Sequence, residues 1–261
     1  MNQISSWAIR NPIPIILLFI LLTLVVAVLM SVAAQVVGAL FGLVNAFFVV
    51  RLRVAAFIVT LATLFIGRGL ALWVTETRMV FYQNHILSLA QAEWLGVPWA
   101  IWVFAIVFAV AWTVLNHTPF GRQVHAVGEN PEAAAKAGIN VPLVLTAVYA
   151  VSGACAGIAG FVSITQVGAA ASSFAVEKEF AAVAAAVLGG VSLFGGRGGV
   201  AGTVFGAVLI QTVQNGLVIV NADPYIYPLV TSSIIFLAVF VDSQRSRILH
   251  RLGRRRIRIE E

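Results

Sequence analysis

The residues that could do chemistry in this sequence are few, and their spacing matches no catalytic or metal-binding pattern. Four histidines stand at positions 85, 117, 125 and 250, without the HExxH spacing of a zinc site. The single cysteine, Cys155, lies in an apolar run and can form neither an internal disulfide nor a cysteine zinc site. Because catalysis needs positioned acids, bases, nucleophiles or metals, the sequence predicts no enzyme, no catalytic residue and no metal site.

A glycine-rich stretch, LGGVSLFGGRGGVAGT, has the composition of a phosphate-binding loop but not its pattern. A Walker loop needs GxxxxGK[ST], in which the lysine reaches the phosphates. Here Arg197 is followed by Gly198, so no ATP or other cofactor is expected to bind this chain by that route. The stretch is predicted to be a tight turn between two membrane segments, where glycine permits positive φ angles. A broken helix that lines a pathway is the alternative.

The loop at residues 116–142 is polar and contains the stretch AVGENPEAAAKAGIN. Asn130 can cap a helix that has Pro131 at its first position, where proline is tolerated. Glu132 then lies in the first turn, where a carboxylate suits the helix dipole. Gly138 is a typical residue just past a helix C-terminus. The pattern predicts a short, capped helix of about seven residues, built mainly from alanines with strong helix propensity.

The same loop is predicted to begin with a turn at Pro119-Phe120-Gly121. A helix of about seven residues is marginal alone in water. It therefore needs support, either from the membrane domain or from a partner that docks on its alanine face. An ordinary surface helix is the alternative.

The segments that must position this loop are strongly apolar. Of the 261 residues, 61% are hydrophobic and only 10% are charged, against about 25% charged residues in soluble domains. No charged residue occurs over the 38 positions from Ile13 to Val50, which is room for two membrane helices of roughly 20 residues each. The sequence predicts an all-α, polytopic membrane bundle with eight spans, at about 13–30, 31–50, 54–74, 98–115, 143–168, 180–194, 200–220 and 226–242.

Lysine and arginine predict the orientation of this bundle. With both termini in the cytoplasm, thirteen of the sixteen basic residues lie on the cytoplasmic side, as the positive-inside rule requires. This N-in, C-in topology also places the loop at 116–142 in the cytoplasm. Seven arginines in the last 17 positions form a basic tail at 243–261, which is expected to lie near anionic lipid headgroups. Nucleic-acid binding, the other meaning of a net charge of +6, is not expected.

Polar and small residues within the predicted spans suggest how the helices pack and what they contact. Glycines at 153 and 157, and again at 202 and 206, form small-xxx-small steps that permit close approach of helices within one bundle. Amide side chains can bond between helices or contact a transported substrate. Four amides are the candidates for a substrate pathway: Gln166, Gln211, Gln214 and Asn215.

Three stretches of this sequence together resemble a known family. They are RLRVAAFIVTLATLFIGRGLAL, GRQVHAVGENPEAAAKAGINV and AAVAAAVLGGVSLFGGRGGVAGTVFGAVLI. They are similar to the permease subunit of bacterial ABC importers for monosaccharides, of the ribose/xylose type, over roughly residues 31–242. The resemblance implies an inner-membrane homodimer, a separate subunit that binds ATP and magnesium, and a periplasmic sugar-binding protein.

In that family the cytoplasmic loop helix couples the permease to the ATP-binding subunit by fitting into a groove of that subunit. The resemblance therefore implies a coupling role for matching positions in the loop at 116–142. The implied coupling residues are Gly128, Glu129, Asn130, Glu132, Ala133, Ala134 and Gly138.

The start of the chain departs from the family pattern. A Gly-Ile-Asp-Leu-Ser stretch that family members carry in their first half is absent, and WAIRNPIPIILLFILLTL resembles the first membrane helix of resistance-nodulation-division efflux pumps. Residues 1–30 are therefore predicted to be a separate N-terminal membrane anchor helix.

The expected function is a sugar-importing permease subunit, and the alternatives are an efflux-type secondary transporter component or a non-transporting membrane remnant. Efflux pumps need acidic proton relays within their spans, and no predicted span has a central Asp or Glu.

Overall fold

The computed structural model describes residues 31–81, 92–171, 174–176, 178–193, 195–223, 225–234, 236–237 and 240. The described residues are predominantly helical, which confirms the predicted all-α membrane fold class. The first predicted span at 13–30 and the basic tail at 243–261 lie outside the described residues and stay predictions.

Eight helices are bounded within the described residues. In chain order they are α1 (Ser31–Arg51), α2 (Ala56–Thr75), α3 (Trp99–His117), α4 (Pro119–Glu129), α5 (Pro131–Lys136), α6 (Val141–Val167), α7 (Lys178–Leu188) and α8 (Val200–Ile219). The last turn of α1 is π-helical, and residues 226–234 are also helical. Helices α1, α2, α3, α6 and α8 are long and apolar enough to cross a membrane, because each has about the 20 residues that a bilayer requires.

The predicted sixth span is shorter than expected. Its helix, α7, has 11 residues, which at 1.5 Å per residue is roughly 16 Å, about half of a hydrocarbon core. The helix ends at Leu188 because Gly189 and Gly190 follow, and Gly190 has a φ of +87° that terminates helical geometry. Since the eighth segment is described only in part, the count of eight spans stays a prediction.

The chain divides into two compact units, and the first comprises residues 1–105 and 145–174. In this unit α1 lies directly against α6. A Cβ atom added to Gly153 would collide with the carbonyl oxygen of Gly38, and one added to Gly157 would collide with that of Ala34. The predicted close packing at these two glycines is confirmed, and it joins helices of the same chain.

Four short strands within the described residues lie in the loops of the first unit and pair there. Strand β1 (Val80–Phe81) pairs antiparallel with β4 (Ala169–Ala170), while β2 (Glu93–Trp94) and β3 (Val97–Pro98) form a hairpin. The two turn residues of the β2–β3 hairpin both have positive φ angles, as a tight two-residue hairpin turn requires. The pairing of β1 with β4 joins two loops that the N-in, C-in topology places on the same, outer side.

The second unit comprises residues 106–144 and 175–261, and its core is the pair α7 and α8. A Cβ added to Gly206 would collide with the carbonyl of Ala185, and one added to Gly202 would collide with that of Gly189. Ala185 and Ile210 are buried between these helices. The predicted close packing at residues 202 and 206 is confirmed as well.

The glycine contact between α1 and α6 yields a stability prediction. Gly153→Ala forces a methyl group into the backbone of α1, so we expect the free energy of unfolding to fall by about 1–3 kcal/mol. Thermal unfolding of the purified protein in detergent measures the change. Gly160→Ala is the matched control, since nothing lies within 4 Å of the added Cβ. Equal unfolding temperatures for the two variants would contradict the packing described.

Candidate functional site

Helix α4 occupies the start of the polar loop, where a turn at Pro119-Phe120-Gly121 was predicted. That prediction is wrong, because these residues form the first turn of a helix. Thr118 caps it: its hydroxyl oxygen accepts a hydrogen bond from the Gly121 amide at 3.3 Å, and Pro119 takes the first helical position. Thr-Pro is a recognisable helix start, so the signal for α4 was present in the sequence.

Helix α5 begins as the sequence predicts. The side-chain oxygen of Asn130 accepts a hydrogen bond from the amide of Ala133 at 3.0 Å. Pro131 occupies the first position, and Glu132 lies in the first turn. The cap matters because α5 has only six residues, and a helix of that length gains little from its own hydrogen bonds.

The C-terminus of α5 is closed by the predicted glycine. Gly138 has a φ of +84°, and its amide donates to the carbonyl of Ala135 at 3.0 Å. The amide of Ile139 donates to the carbonyl of Ala134 at 3.1 Å. This pair of bonds is a Schellman motif, so both ends of α5 are fixed by local hydrogen bonds.

The glycine-rich loop contacts the end of α4. A Cβ added to Gly128 would lie 2.6 Å from the amide nitrogen of Gly196, and one added to Gly195 would lie 2.5 Å from the Gly128 carbonyl oxygen. Nδ1 of His125 lies 3.1 Å from the carbonyl oxygen of Gly196. The two motifs that the sequence presents separately, the polar loop and the glycine turn, therefore form one structural site in the second unit.

An ion pair lies at the edge of this contact. The guanidinium of Arg197 is 3.9 Å from the carboxylate of Glu129, and both side chains are more than half exposed. Exposed pairs at this distance add little stability. Both charged groups are therefore accessible to a binding partner.

The predicted coupling residues differ in their exposure. Glu129, Asn130, Glu132, Ala133 and Gly138 are exposed, whereas Gly128 is half-buried and Ala134 is 4% exposed. The side chain of Ala134 therefore cannot contact a partner at the surface. Its side chain is buried, on a helix that packs against α4. Ala134 supports the helix, and the exposed face around Glu132 and Ala133 is the part that a partner can reach.

The four amides predicted for a substrate pathway fall in both units. Gln166 lies near the end of α6 in the first unit, and the other three lie on α8 in the second. Nε2 of Gln211 donates to Oδ1 of Asn215 at 3.1 Å, one helical turn away, and both residues are exposed. Gln214 is half-buried. The hydrogen bond between Gln211 and Asn215 lies within one helix and not between helices.

A cavity of about 710 Å³ lies within the first unit, between α1, α6 and the start of α2. Small and aromatic residues line most of it, and its polar lining comes from Asn45, Thr60, Tyr149 and Ser152. The side chain of Asn45 also accepts a hydrogen bond from Thr63 at 2.7 Å. None of the four predicted amides lines this cavity, and these polar residues were not predicted from the sequence.

No group of three or more His, Cys, Asp or Glu residues that could hold a metal ion occurs within the described ranges. The site made by α4, α5 and the glycine loop consists of helix caps, backbone contacts and exposed charges. It is suited to binding another protein.

Comparison with known proteins identifies relatives of the chain. Residues 5–241 match the family model described as branched-chain amino acid transport system / permease component. The ribose import permease protein RbsC of Haemophilus influenzae is 37% identical over 212 residues, which cover 79% of this chain and 66% of that protein. RbsC of Escherichia coli is 36% identical over 218 residues, covering 82% and 68%. No solved structure matches the chain.

The L-arabinose transport system permease protein AraH of Escherichia coli is 33% identical over 205 residues, covering 78% of this chain and 62% of that protein. The chain therefore spans about two thirds of the length of the curated relatives it matches.

The N-terminal cap of α5 gives a prediction about local stability. Asn130→Ala removes the acceptor for the Ala133 amide, which costs about 1 kcal/mol. We therefore expect hydrogen exchange of the amides in α5 to become about fivefold faster in the purified protein. Asn130→Asp keeps the acceptor oxygen and is the control. Unchanged exchange in Asn130→Ala would mean that the tertiary contacts alone hold α5.

Proposed function

The chain belongs to the family described as branched-chain amino acid transport system / permease component, and on that premise we propose that it is the membrane-spanning permease subunit of an ABC importer. Its proposed cargo is a sugar, because relatives at 33–37% identity are named as ribose and L-arabinose permeases. The chain is a multi-pass protein of the bacterial inner membrane.

The energy for import is proposed to come from a separate subunit. The sequence has no Walker pattern, and a glycine loop without the lysine and Ser/Thr lacks the groups that hold phosphate and magnesium. An ATP-binding subunit would therefore supply Mg-ATP hydrolysis, and a periplasmic sugar-binding protein would deliver the substrate. The permease itself catalyses no reaction in this scheme, and it works as a homodimer.

The observation that carries this proposal is the construction of α5. A six-residue helix that is capped at both ends, and whose Ala134 is buried while Glu132 and Ala133 are exposed, is suited to fit a groove on another protein. We propose that this groove lies on the ATP-binding subunit. The proposed coupling residues are Glu129, Asn130, Glu132, Ala133 and Gly138 at the surface, with Gly128 and Ala134 as supports.

The proposed cycle begins with sugar delivered at the periplasmic side while the permease is open outward. Closure of the ATP-binding subunits displaces α5, whose capped ends and packing against α4 let it move as a unit. The displacement then switches the helices from an outward-open to an inward-open arrangement. Such a switch requires that ATP binding favours one arrangement over the other.

Two sets of residues are proposed for contact with the sugar. The first set is the amides Gln166, Gln211, Gln214 and Asn215, whose donors and acceptors suit hydroxyl groups. The cavity of the first unit is the second candidate, because it combines a volume of about 710 Å³ with polar groups of Asn45, Thr60, Tyr149 and Ser152. Neither set has a charge, as suits a neutral monosaccharide.

Docking on α5 gives a direct prediction. In the double variant Glu132→Lys/Ala133→Arg, a reversed charge and a bulky side chain occupy the exposed face. We expect co-purification of the ATP-binding subunit to fall at least about tenfold, which corresponds to about 1.4 kcal/mol of binding free energy. Glu93→Lys makes the same charge reversal at an exposed residue on the predicted outer side and should leave association unchanged. Retained association in the double variant would refute docking through α5.

The choice of cargo is tested by uptake. Cells that lack their own ribose and arabinose permeases should accumulate a labelled monosaccharide when they express this chain with its ATP-binding subunit and binding protein. Gln214→Leu removes a half-buried amide of α8 and should raise the KM for uptake about tenfold if that amide bonds the sugar. Export of the label, or accumulation that does not depend on ATP, would contradict an ABC importer.

A further inference from the structure

We infer that α4 and the glycine loop form a rigid clasp that passes the displacement of α5 on to α7 and α8, and that His125 is its positioning residue. The clasp consists of His125 and Gly128 on α4 together with Gly195 and Gly196 of the loop. This inference rests on the proposed function and adds the route by which ATP-driven movement reaches the membrane helices.

The clasp is a contact between two backbones. Gly128 and Gly196 approach so closely that a Cβ on the former would lie 2.6 Å from the amide nitrogen of the latter. Gly195 and Gly196 have φ angles of +93° and +75°, which side chains rarely adopt. Since glycine contact leaves no flexible side chain between the segments, a movement of α4 must move the loop.

His125 adds a polar bond between the two halves of the clasp. A carbonyl oxygen can only accept, so Nδ1 of the half-buried His125 donates its hydrogen to Gly196 across 3.1 Å. The bond connects residues 71 positions apart. The Glu129–Arg197 pair lies beside it but is exposed at 3.9 Å, so His125 is the stronger link.

On one side, the clasp is continuous with α5. A single residue, Asn130, separates the last residue of α4 from the first of α5. The amide of Asn130 donates to the Ala126 carbonyl of α4 at 3.1 Å, and its side chain caps α5. A force on α5 therefore acts on α4 through one hydrogen-bonded joint.

On the other side, the clasp is continuous with the α7–α8 pair. The loop is braced by bonds from the Ser192 amide to the Arg197 carbonyl, at 3.0 Å, and from the Gly195 amide to the Ser192 carbonyl, at 3.2 Å. It leads directly into α8, whose Gly202 packs on the backbone of Gly189 after α7. Close-packed interiors transmit displacement instead of absorbing it, so the pair should move with the loop.

The test compares three variants reconstituted with the ATP-binding subunit and binding protein in liposomes. His125→Leu removes the donor, His125→Asn keeps a donor near the position of Nδ1, and His117→Leu makes the same apolar change at an exposed histidine outside the clasp. The readout is sugar transported per ATP hydrolysed, measured alongside the amount of ATP-binding subunit that co-purifies.

We expect His125→Leu to lower the transport-to-hydrolysis ratio roughly tenfold while the ATP-binding subunit still co-purifies, since the exposed face of α5 is unchanged. His125→Asn should restore the ratio, and His117→Leu should match the unchanged chain. An unaffected ratio in His125→Leu, or equal loss in the Leu and Asn variants, would overturn the inference.

Hydrogen exchange of the purified chain tests the clasp without any partner. Loss of one hydrogen bond in His125→Leu should speed exchange of the amides at 195–199 about fivefold, and equal exchange in the two proteins would overturn the clasp. A second outcome separates the two claims. If the unchanged chain binds no ATP-binding subunit but His125→Leu still speeds exchange, the proposed function is refuted and the contact between α4 and the glycine loop is supported.

Discussion

The close approach of Gly128 to Gly196 is the constraint on which the candidate site depends. Without it, α5 would be a six-residue helix at the end of a polar loop, too short to persist by its own hydrogen bonds. With it, α4 is anchored to the loop that leads into α8, and the caps at Asn130 and Gly138 extend that order through α5. Any side chain at either glycine would push the two segments apart, so the site exists only because both positions are glycine.

Close glycine contacts also join two helix pairs within the described residues, α1 with α6 and α7 with α8. Gly38 meets Gly153, and Gly202 meets Gly189, backbone against backbone. A membrane supplies no hydrophobic force between apolar helices, so dispersion contact and small residues must hold them together. The many exposed large apolar side chains of the long helices are suited to lipid or to neighbouring subunits.

Much of this structure could be predicted from local sequence rules. The caps of α5, five of the membrane-length helices and the small-residue steps follow from neighbouring residues and appear in the described part of the chain. The start of α4 was missed although Thr118-Pro119 is a standard helix-start signal, because Gly121 suggested a turn. The contact between His125 and Gly196 could not be predicted, since nothing local relates residues 71 positions apart. The burial of Ala134 depends on which side of α5 the rest of the protein covers, and identical alanines on both sides leave that undetermined in the sequence.

The central claim is that the exposed face of α5 is where the ATP-binding subunit docks, and photo-crosslinking from that face tests it most directly. A photoreactive amino acid placed at position 133 should yield a covalent adduct with the ATP-binding subunit on illumination of membranes. The same probe at position 93, which is also exposed but predicted to lie on the outer side, should yield none. Adducts from position 93, or none from position 133 while the complex is intact, would contradict the proposed coupling site.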